Sequence, residues 1–405
     1  MKRFYESIVE DQFAHHEQAA FLCGPRQVGK TTIAKNLQSH HPHYVYWNWD
    51  NINDRSKLLA GPEALTKFLP VHAILAPKPL ATFDEIHKYK DWKTLIKGII
   101  DSYKDSVNIL VTGSAKLDVF RKGGDSLMGR YFLYRIHPLS VVELLRPQII
   151  LDELSPLSLP QKISKDELEG LFEFGGFPEP FLKGEKSFFN RWQRLRQNQL
   201  FREDLKELGQ IQKISLIETL AFFLKHQSTQ LLNYTNLANK IRVSDQTIRR
   251  WIAILESVYY CFTLQPWHTN VTRSLLKEPK VYLWDWSILE NKGQRVENFV
   301  ASHLYKAVHF WTDIGLGSFN LYFLRDKDQR EVDFLITKND KPWIMVEVKT
   351  SLNEPLSPNL MHFQKQIGAE HVLQVAFDAP YVEVDCFTLQ SPKIVPMSTF
   401  LSQLV

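Results

Sequence analysis

The chain has 405 residues, a length at which two or three domains are the default because a single core stops growing well before it. Hydrophobic residues make up 44% and charged residues 23%, ordinary for a globular protein, and a net charge of +4 permits a local basic patch without demanding one. Three cysteines with no pair at metal spacing argue against a disulfide framework or a zinc site, and no segment has the apolar length of a bilayer span or a secretory leader, so the expectation is a cytoplasmic protein with no membrane partner. In chain order, residues 19–145 alternate apolar runs with helical patterns, which predicts an α/β region with a parallel sheet covered by helices. Strands are expected at Ala19–Gly24, Tyr44–Trp49, Pro79–Asp84, Asn108–Thr112 and Tyr131–Ile136. A mixture of Pro, Leu and Ser without a clear period over 147–160 predicts a boundary. Residues 166–240 read mainly as helix, with a sharp stop at Gly175-Gly176-Phe177-Pro178. An amphipathic stretch Ser187–Leu208 carries Arg191, Arg194, Arg196 and Arg202, and a second runs over Ile214–Lys225. After Trp267, short strands at Val281–Trp284, Asn320–Arg325, Glu331–Ile336 and Trp343–Lys349 alternate with a helix at Arg295–Ala307, the pattern of an α/β tail. The expected domains are residues 1–150, 151–268 and 269–405.

The strongest local signal is Gly24-Pro25-Arg26-Gln27-Val28-Gly29-Lys30-Thr31, which matches G-x-x-x-x-G-K-[ST]. An apolar strand precedes it and a helical stretch begins at Thr32, the context the motif requires. Glycines let backbone N–H groups turn toward phosphate oxygens, and the helix start adds positive potential. Lys30 reaches the outer phosphates and the Thr31 hydroxyl ligates Mg²⁺, which makes residues 24–32 the candidate cradle for ATP. A second apolar strand ends in Asp84-Glu85, where Asp84 supports the magnesium and Glu85 polarises the attacking water. A third ends in Thr112-Gly113-Ser114, placing Thr112 or Ser114 as a polar group near the γ-phosphate, or as a cap of the next helix.

Together these motifs resemble the AAA+-type P-loop ATPases, in particular a bacterial and archaeal group with a C-terminal domain of unknown function. The resemblance covers nearly the whole chain. Gly129-Arg130, a strand, then His137-Pro138-Leu139-Ser140 with Glu143 beyond, looks like that group's "GR … PLS" segment. The resemblance implies a sheet of order 5-1-4-3-2. It also implies that Arg130 acts as an arginine finger on a neighbouring subunit's nucleotide, which needs a homo-oligomer; a structural or sensor arginine in its own subunit is the alternative.

Two further constellations follow. Leu237, Ala238 and Ile241 form a short apolar helical face, and Ser244 starts a second helix on which Ile248, Trp251, Ile252 and Leu255 recur. This helix–turn–helix runs into a β-like stretch at Tyr259–Leu264, a winged-helix pattern that leaves Gln246, Thr247, Arg249 and Arg250 for DNA or serves as a packing module. Near the C-terminus, Glu331-Val332-Asp333 and Glu347-Val348-Lys349 lie on two strands joined by a polar turn. Glu347 and Lys349 share a strand face, and Glu297 on an upstream helix adds a fourth polar group. This resembles the PD-(D/E)xK nuclease core, with Val332 where the motif has proline, and implies Mg²⁺ at Asp333 and Glu347 with Lys349 beside water, or a folded relic that no longer cuts. The combined expectation is Mg²⁺-dependent ATP hydrolysis coupled to a conformational change and to DNA. The alternatives are an ATP-gated switch that binds a protein partner, and a metal-dependent DNA nuclease.

Overall fold

The computed structural model describes residues 1–114, 127–149, 155–207, 213–268, 278–389 and 392–404. The chain divides into two compact units, Met1–His137 with Arg146–Leu154, and Pro138–Leu145 with Ser155–Val405. The boundary expected over 147–160 and the end of the helix expected to reach Leu208 lie partly outside the described residues.

The first unit opens with α1 (Phe4–His15), followed by β1 (Ala19–Cys23), α2 (Lys30–Asn36), β2 (Tyr44–Asn48), α3 (Ile52–Leu59), β3 (Leu80–Asp84), α4 (Trp92–Tyr103), β4 (Asn108–Gly113) and β5 (Tyr131–Arg135). The strands form one parallel sheet, β2-β3-β4-β1-β5, the order implied by the sequence resemblance. β1, β3 and β4 are buried along their whole length, as continuous apolar runs must be when helices cover both faces. On one face Phe21, Phe83 and Val111 pack against Trp92, Ile96, Ile99 and Ile100, which recur along α4 at helical spacing. A parallel sheet brings all its C-terminal strand ends to one edge, so Cys23, Asp84 and Gly113 arrive side by side.

The second unit holds helices at Lys165–Phe174, Pro178–Lys183, Lys186–Gln199, Ile214–His226, Tyr234–Ile241 and Asp245–Ser257. The helix expected over Ser187–Leu208 becomes a π-helical stretch over Leu200–Asp204. Arg196, one of its four arginines, turns inward, with its guanidinium 3.8 Å above the Phe177 ring and bonded to Asp285 at 3.1 Å. Gly176 has no room for a side chain: a Cβ there would stand 2.6 Å from Trp286 and 2.7 Å from the Leu139 carbonyl. β6 (Cys261–Leu264) and β7 (Lys280–Leu283) form an antiparallel pair. The helix expected over Arg295–Ala307 extends to Lys292–Asp313, started by the Asn291 side chain, which accepts from the Gln294 N–H. Its buried residues lie all round its axis, which blurs the period that marks a one-sided helix. Beyond it β8 (Phe319–Arg325), β9 (Glu331–Lys338), β10 (Lys341–Lys349), β11 (His371–Ala376) and β12 (Lys393–Pro396) make a mixed sheet of order β12-β11-β10-β9-β8. β8, β9 and β10 are antiparallel neighbours, and β11 and β12 add on in parallel.

Candidate functional site

The loop after β1 is shaped by close approach and by hydrogen bonds. A Cβ at Gly24 would meet the Ile136 carbonyl at 2.3 Å, so only glycine lets the loop leave β1 beside the exit of β5. Gln27 and Gly29 take positive φ, 62° and 101°, and Gly29 precedes the first turn of α2. Pro25 and Val28 are buried, Arg26 is half-buried, and Thr31 and Thr32 are exposed at the head of α2. The buried Lys30 ammonium lies back along this loop, donating to the carbonyls of Gly24 at 2.9 Å and Pro25 at 2.7 Å. Burial holds its pKa below the ordinary lysine value, with Glu85 and Asp84 pulling the other way.

Asp84, at the end of β3, is a hub. Its carboxylate accepts the Thr31 hydroxyl at 2.9 Å, and it also accepts from the hydroxyls of Tyr46 and Thr112. The next residue, Glu85, takes a left-handed backbone with φ 56° and is tied by its N–H to the Thr112 carbonyl at 3.1 Å. Its Oε2 is buried and takes no hydrogen bond, although Lys88 Nζ stands at 3.4 Å and His87 Nε2 at 3.8 Å. Burial raises the Glu85 carboxyl above its ordinary value, while Lys30 and Lys88 pull it down. Of the two polar groups expected after β4, Thr112 touches Asp84, while Ser114 pairs with His87 at 3.0 Å.

Lys30, Thr31, Asp84, Glu85 and Thr112 therefore converge on one edge of the sheet. Arg130 does not join them. Its backbone carbonyl accepts from Ala19 N–H at the start of β1, and its guanidinium makes a two-point pair with Asp101, 2.6 and 3.2 Å. The length of β1, roughly 15 Å at the usual rise per residue, separates it from the loop.

Two contributors left no local mark in the sequence. Tyr46 reaches Asp84 because β2 and β3 pair with Tyr46 opposite Thr82, and burial followed by the Asp84 bond raises its pKa. The sheet order with its register would have revealed it. Arg3, buried ahead of α1, donates to the Val28 carbonyl inside the loop and to the His137 carbonyl at 2.7 Å. Its partners lie 25 and 134 residues away, so nothing nearby announces it.

In the second unit, helices Tyr234–Ile241 and Asp245–Ser257 are joined by a short turn in which Arg242 has φ 61°. The Ser244 side chain accepts from the Thr247 N–H at 3.2 Å, and Ile248, Trp251, Ile252 and Leu255 are buried. Gln246, Arg249 and Arg250 are exposed, and the Arg249 guanidinium lies 3.7 Å over the Tyr234 ring.

Around the end of β9, Asp333 Oδ2 accepts the Val348 N–H at 2.9 Å, and Glu347 Oε1 takes Lys349 Nζ at 3.0 Å. Glu347 Oε2 is buried without a hydrogen bond. Burial pushes the Glu347 carboxyl up to about 7, with Asp333 adding to the rise. Glu297 is pushed up to about 8 by burial and by Asp333, with Lys280 opposing. The Lys280 ammonium stands 2.5 Å from Glu331, 3.3 Å from Glu297 and 3.6 Å from Asp333. Among the described residues no three His, Cys, Asp or Glu side chains stand together as metal ligands. A divalent ion at Asp333 and Glu347 does not fit this arrangement, because an ammonium already sits among the acids.

The segment that resembles "GR … PLS" has a structural use. Glu143, fully buried, pairs with Lys306, which also donates to the Pro138 carbonyl at 2.9 Å. His303 accepts the Val141 N–H on Nε2 at 3.1 Å, and its Nδ1 faces the Phe299 carbonyl at 2.7 Å. One ring nitrogen accepts while the other donates, so the ring is neutral, in keeping with burial that pulls its pKa down to about 3.

A glycine-shaped loop, a lysine, a threonine and an Asp-Glu pair at the C-terminal edge of a 2-3-4-1-5 parallel sheet define a P-loop nucleotide-binding domain. Residues 16–145 match the family model described as an AAA domain. Residues 165–294 and 292–397 match two models, each described only as a domain of unknown function. Among curated proteins the chain is similar to an uncharacterized protein of Mycobacterium tuberculosis, 23% identical over 81% of this chain and 70% of the relative. It is likewise similar to one of Methanocaldococcus jannaschii, 23% identical over 82% of this chain and 75% of the relative. Among solved structures, AMPPCP-bound DnaA from Aquifex aeolicus matches with a TM-score of 0.30 and 14% identity, covering 62% of this chain and 86% of DnaA. C. elegans PCH-2 matches with a TM-score of 0.24 and 14% identity, covering 63% of this chain and 65% of PCH-2. Among the described residues no helix is long and apolar enough to cross a membrane.

Proposed function

We propose that the first unit binds and hydrolyses ATP with Mg²⁺, and that the second unit couples this cycle to DNA through the helix pair Tyr234–Ser257. The carrying observation is the convergence of Lys30, Thr31, Asp84 and Glu85 at one sheet edge, with Thr31 and Asp84 bonded to each other. These two oxygen side chains suit a hard ion such as Mg²⁺, and Thr31 is exposed toward an incoming nucleotide. The ion, when bound, neutralises charge on the phosphates. Lys30 exchanges its two loop carbonyls for phosphate oxygens. Thr112 and Tyr46 orient the Asp84 carboxylate, and Arg3 fixes the loop backbone through Val28.

Glu85 is the general base. It has a buried oxygen without a hydrogen bond, and burial raises its pKa toward the working range of a base. Arg130 lies at the far edge of the same sheet, so it reaches a triphosphate only on a second copy of the chain. Exposed Gln246 and Arg250 supply an amide and a guanidinium for a duplex, the groups that read base edges and neutralise phosphates.

The test is ATP turnover of wild type and Lys30→Ala, each with and without duplex and single-stranded DNA over a range of salt. The expected result is loss of turnover in Lys30→Ala with an unchanged melting temperature. Wild-type turnover should rise with DNA, with affinity that falls steeply as salt increases. Retained hydrolysis in Lys30→Ala rejects the site. Absent DNA stimulation with salt-independent capture of a protein rejects the DNA reading in favour of an ATP-gated switch.

A further inference from the structure

We propose that the acidic end of β9 in the second unit is a cation site filled by the chain's own Lys280, so that this unit is complete without a divalent metal. Lys280 opens β7, and its side chain is buried, with 3% of the residue exposed. An ammonium carries three N–H donors, and three carboxylates surround this one: Glu331 at 2.5 Å, Glu297 at 3.3 Å and Asp333 at 3.6 Å. Glu331 and Asp333 are two apart on β9 and so share a face, while Glu297 comes from helix Lys292–Asp313. The lysine thus joins three elements of one unit at a single point.

The neighbours fix the cage in place. Tyr282, two residues along β7 and on the same face as Lys280, donates its hydroxyl to Glu297 at 2.9 Å. Arg325 holds the other oxygen of Glu331 at 2.6 Å. The Val348 N–H holds the second oxygen of Asp333, and Lys349 holds Glu347. Four carboxylates (Glu297, Glu331, Asp333, Glu347) face three cations (Lys280, Arg325, Lys349), so the cluster is nearly neutral by its own groups. A divalent ion entering beside Asp333 would meet the buried Lys280 ammonium, and the like charges repel with less screening than in bulk water. Without Lys280, the same acids form a concentrated, inward-facing set of oxygens of the kind that takes a hard divalent cation. The lysine is therefore what separates this cluster from a metal centre. The second unit keeps its carboxylates as a clasp between β7, β9 and the long helix.

The experiment counts bound Mn²⁺ by electron paramagnetic resonance in the full chain without nucleotide. Asp84→Asn is introduced throughout, to silence the first unit's carboxylate. With Lys280 intact, no bound Mn²⁺ responds to Asp333→Asn. Adding Lys280→Met creates one site, with a Kd lowered by about tenfold or more, and Asp333→Asn abolishes it again. Mn²⁺ bound with Lys280 present and lost on Asp333→Asn overturns the proposal, because the lysine then does not fill the site. A folded Lys280→Met chain that gains no Mn²⁺ overturns it equally. If Lys280→Met does not fold, the pair with Lys280 intact decides: Mn²⁺ sensitive to Asp333→Asn refutes, and none upholds.

Discussion

Lys30 at the head of α2 and Lys280 at the head of β7 are both buried lysines with acids nearby, yet their surroundings differ in one respect. The hydrogen bonds of Lys30 go to two neutral carbonyls of its own loop, with Asp84 and Glu85 beyond them. The nearest partners of Lys280 are the carboxylates themselves. Burial lowers the proton affinity of both ammonium groups, and for Lys30 burial prevails. For Lys280, Glu297, Asp333 and Glu331 outweigh burial and raise it. A cation held by carbonyls can be handed to a phosphate, because the groups it gives up are neutral and leave no buried charge unpaired. A cation locked among three acids cannot leave without exposing them, since removing one partner of a buried pair leaves uncompensated charge. The same residue types are therefore held by neutral carbonyls in one unit and by acids in the other, and the second unit has another buried acid–lysine pair at Glu143 and Lys306.

That contrast can be broken most sharply at the acids. Glu85→Gln should lower ATP turnover by about 10²–10⁴-fold while nucleotide binding persists, whereas Glu347→Gln should leave turnover unchanged. Equal effects in a steady-state assay would erase the distinction between the two sites. Next in size is the buried Glu143–Lys306 pair. Lys306→Ala should destabilise the second unit by about 3–5 kcal/mol in denaturant unfolding, and Glu143→Leu with Lys306→Met should recover most of it. A small loss from Lys306→Ala alone would mean that water reaches the pair and that it is no clasp.

A pH-dependent effect, small near neutral pH, belongs to His303, which this unit holds neutral. Its folded pKa of about 3 lies below the unfolded value of about 6.5, so between these limits the unfolded chain binds the extra proton. The stabilising contribution is therefore complete above pH 6.5. It falls by about 1.4 kcal/mol per pH unit as the pH drops from 6.5 toward 3. His303→Gln, which cannot take the proton, should flatten that part of the stability profile. An unchanged slope would assign the acid sensitivity to other groups.

What could be read without the structure was whatever a few adjacent residues decide. The P-loop spacing and the Asp84-Glu85 strand end are local patterns, and the five strands of the first unit were legible because each is a short apolar run between turns. The helices Tyr234–Ile241 and Asp245–Ser257 were legible for the same reason, an apolar period with Ser244 marking the second start. Arg130 shows the limit: its motif was visible, but its place at the edge of the sheet away from the loop depends on which end of β1 it meets.

Tyr46 on Asp84, Arg3 under the loop, and Lys280 among Glu297, Glu331 and Asp333 were decided only by the tertiary structure. Each depends on strands and helices meeting at one register, and no short window of sequence contains both partners. A motif states which chemistry a segment can offer. Whether a buried charge there stays available or is cancelled by another depends on the electrostatic field of residues far away in the chain, and that field exists only once the chain has folded.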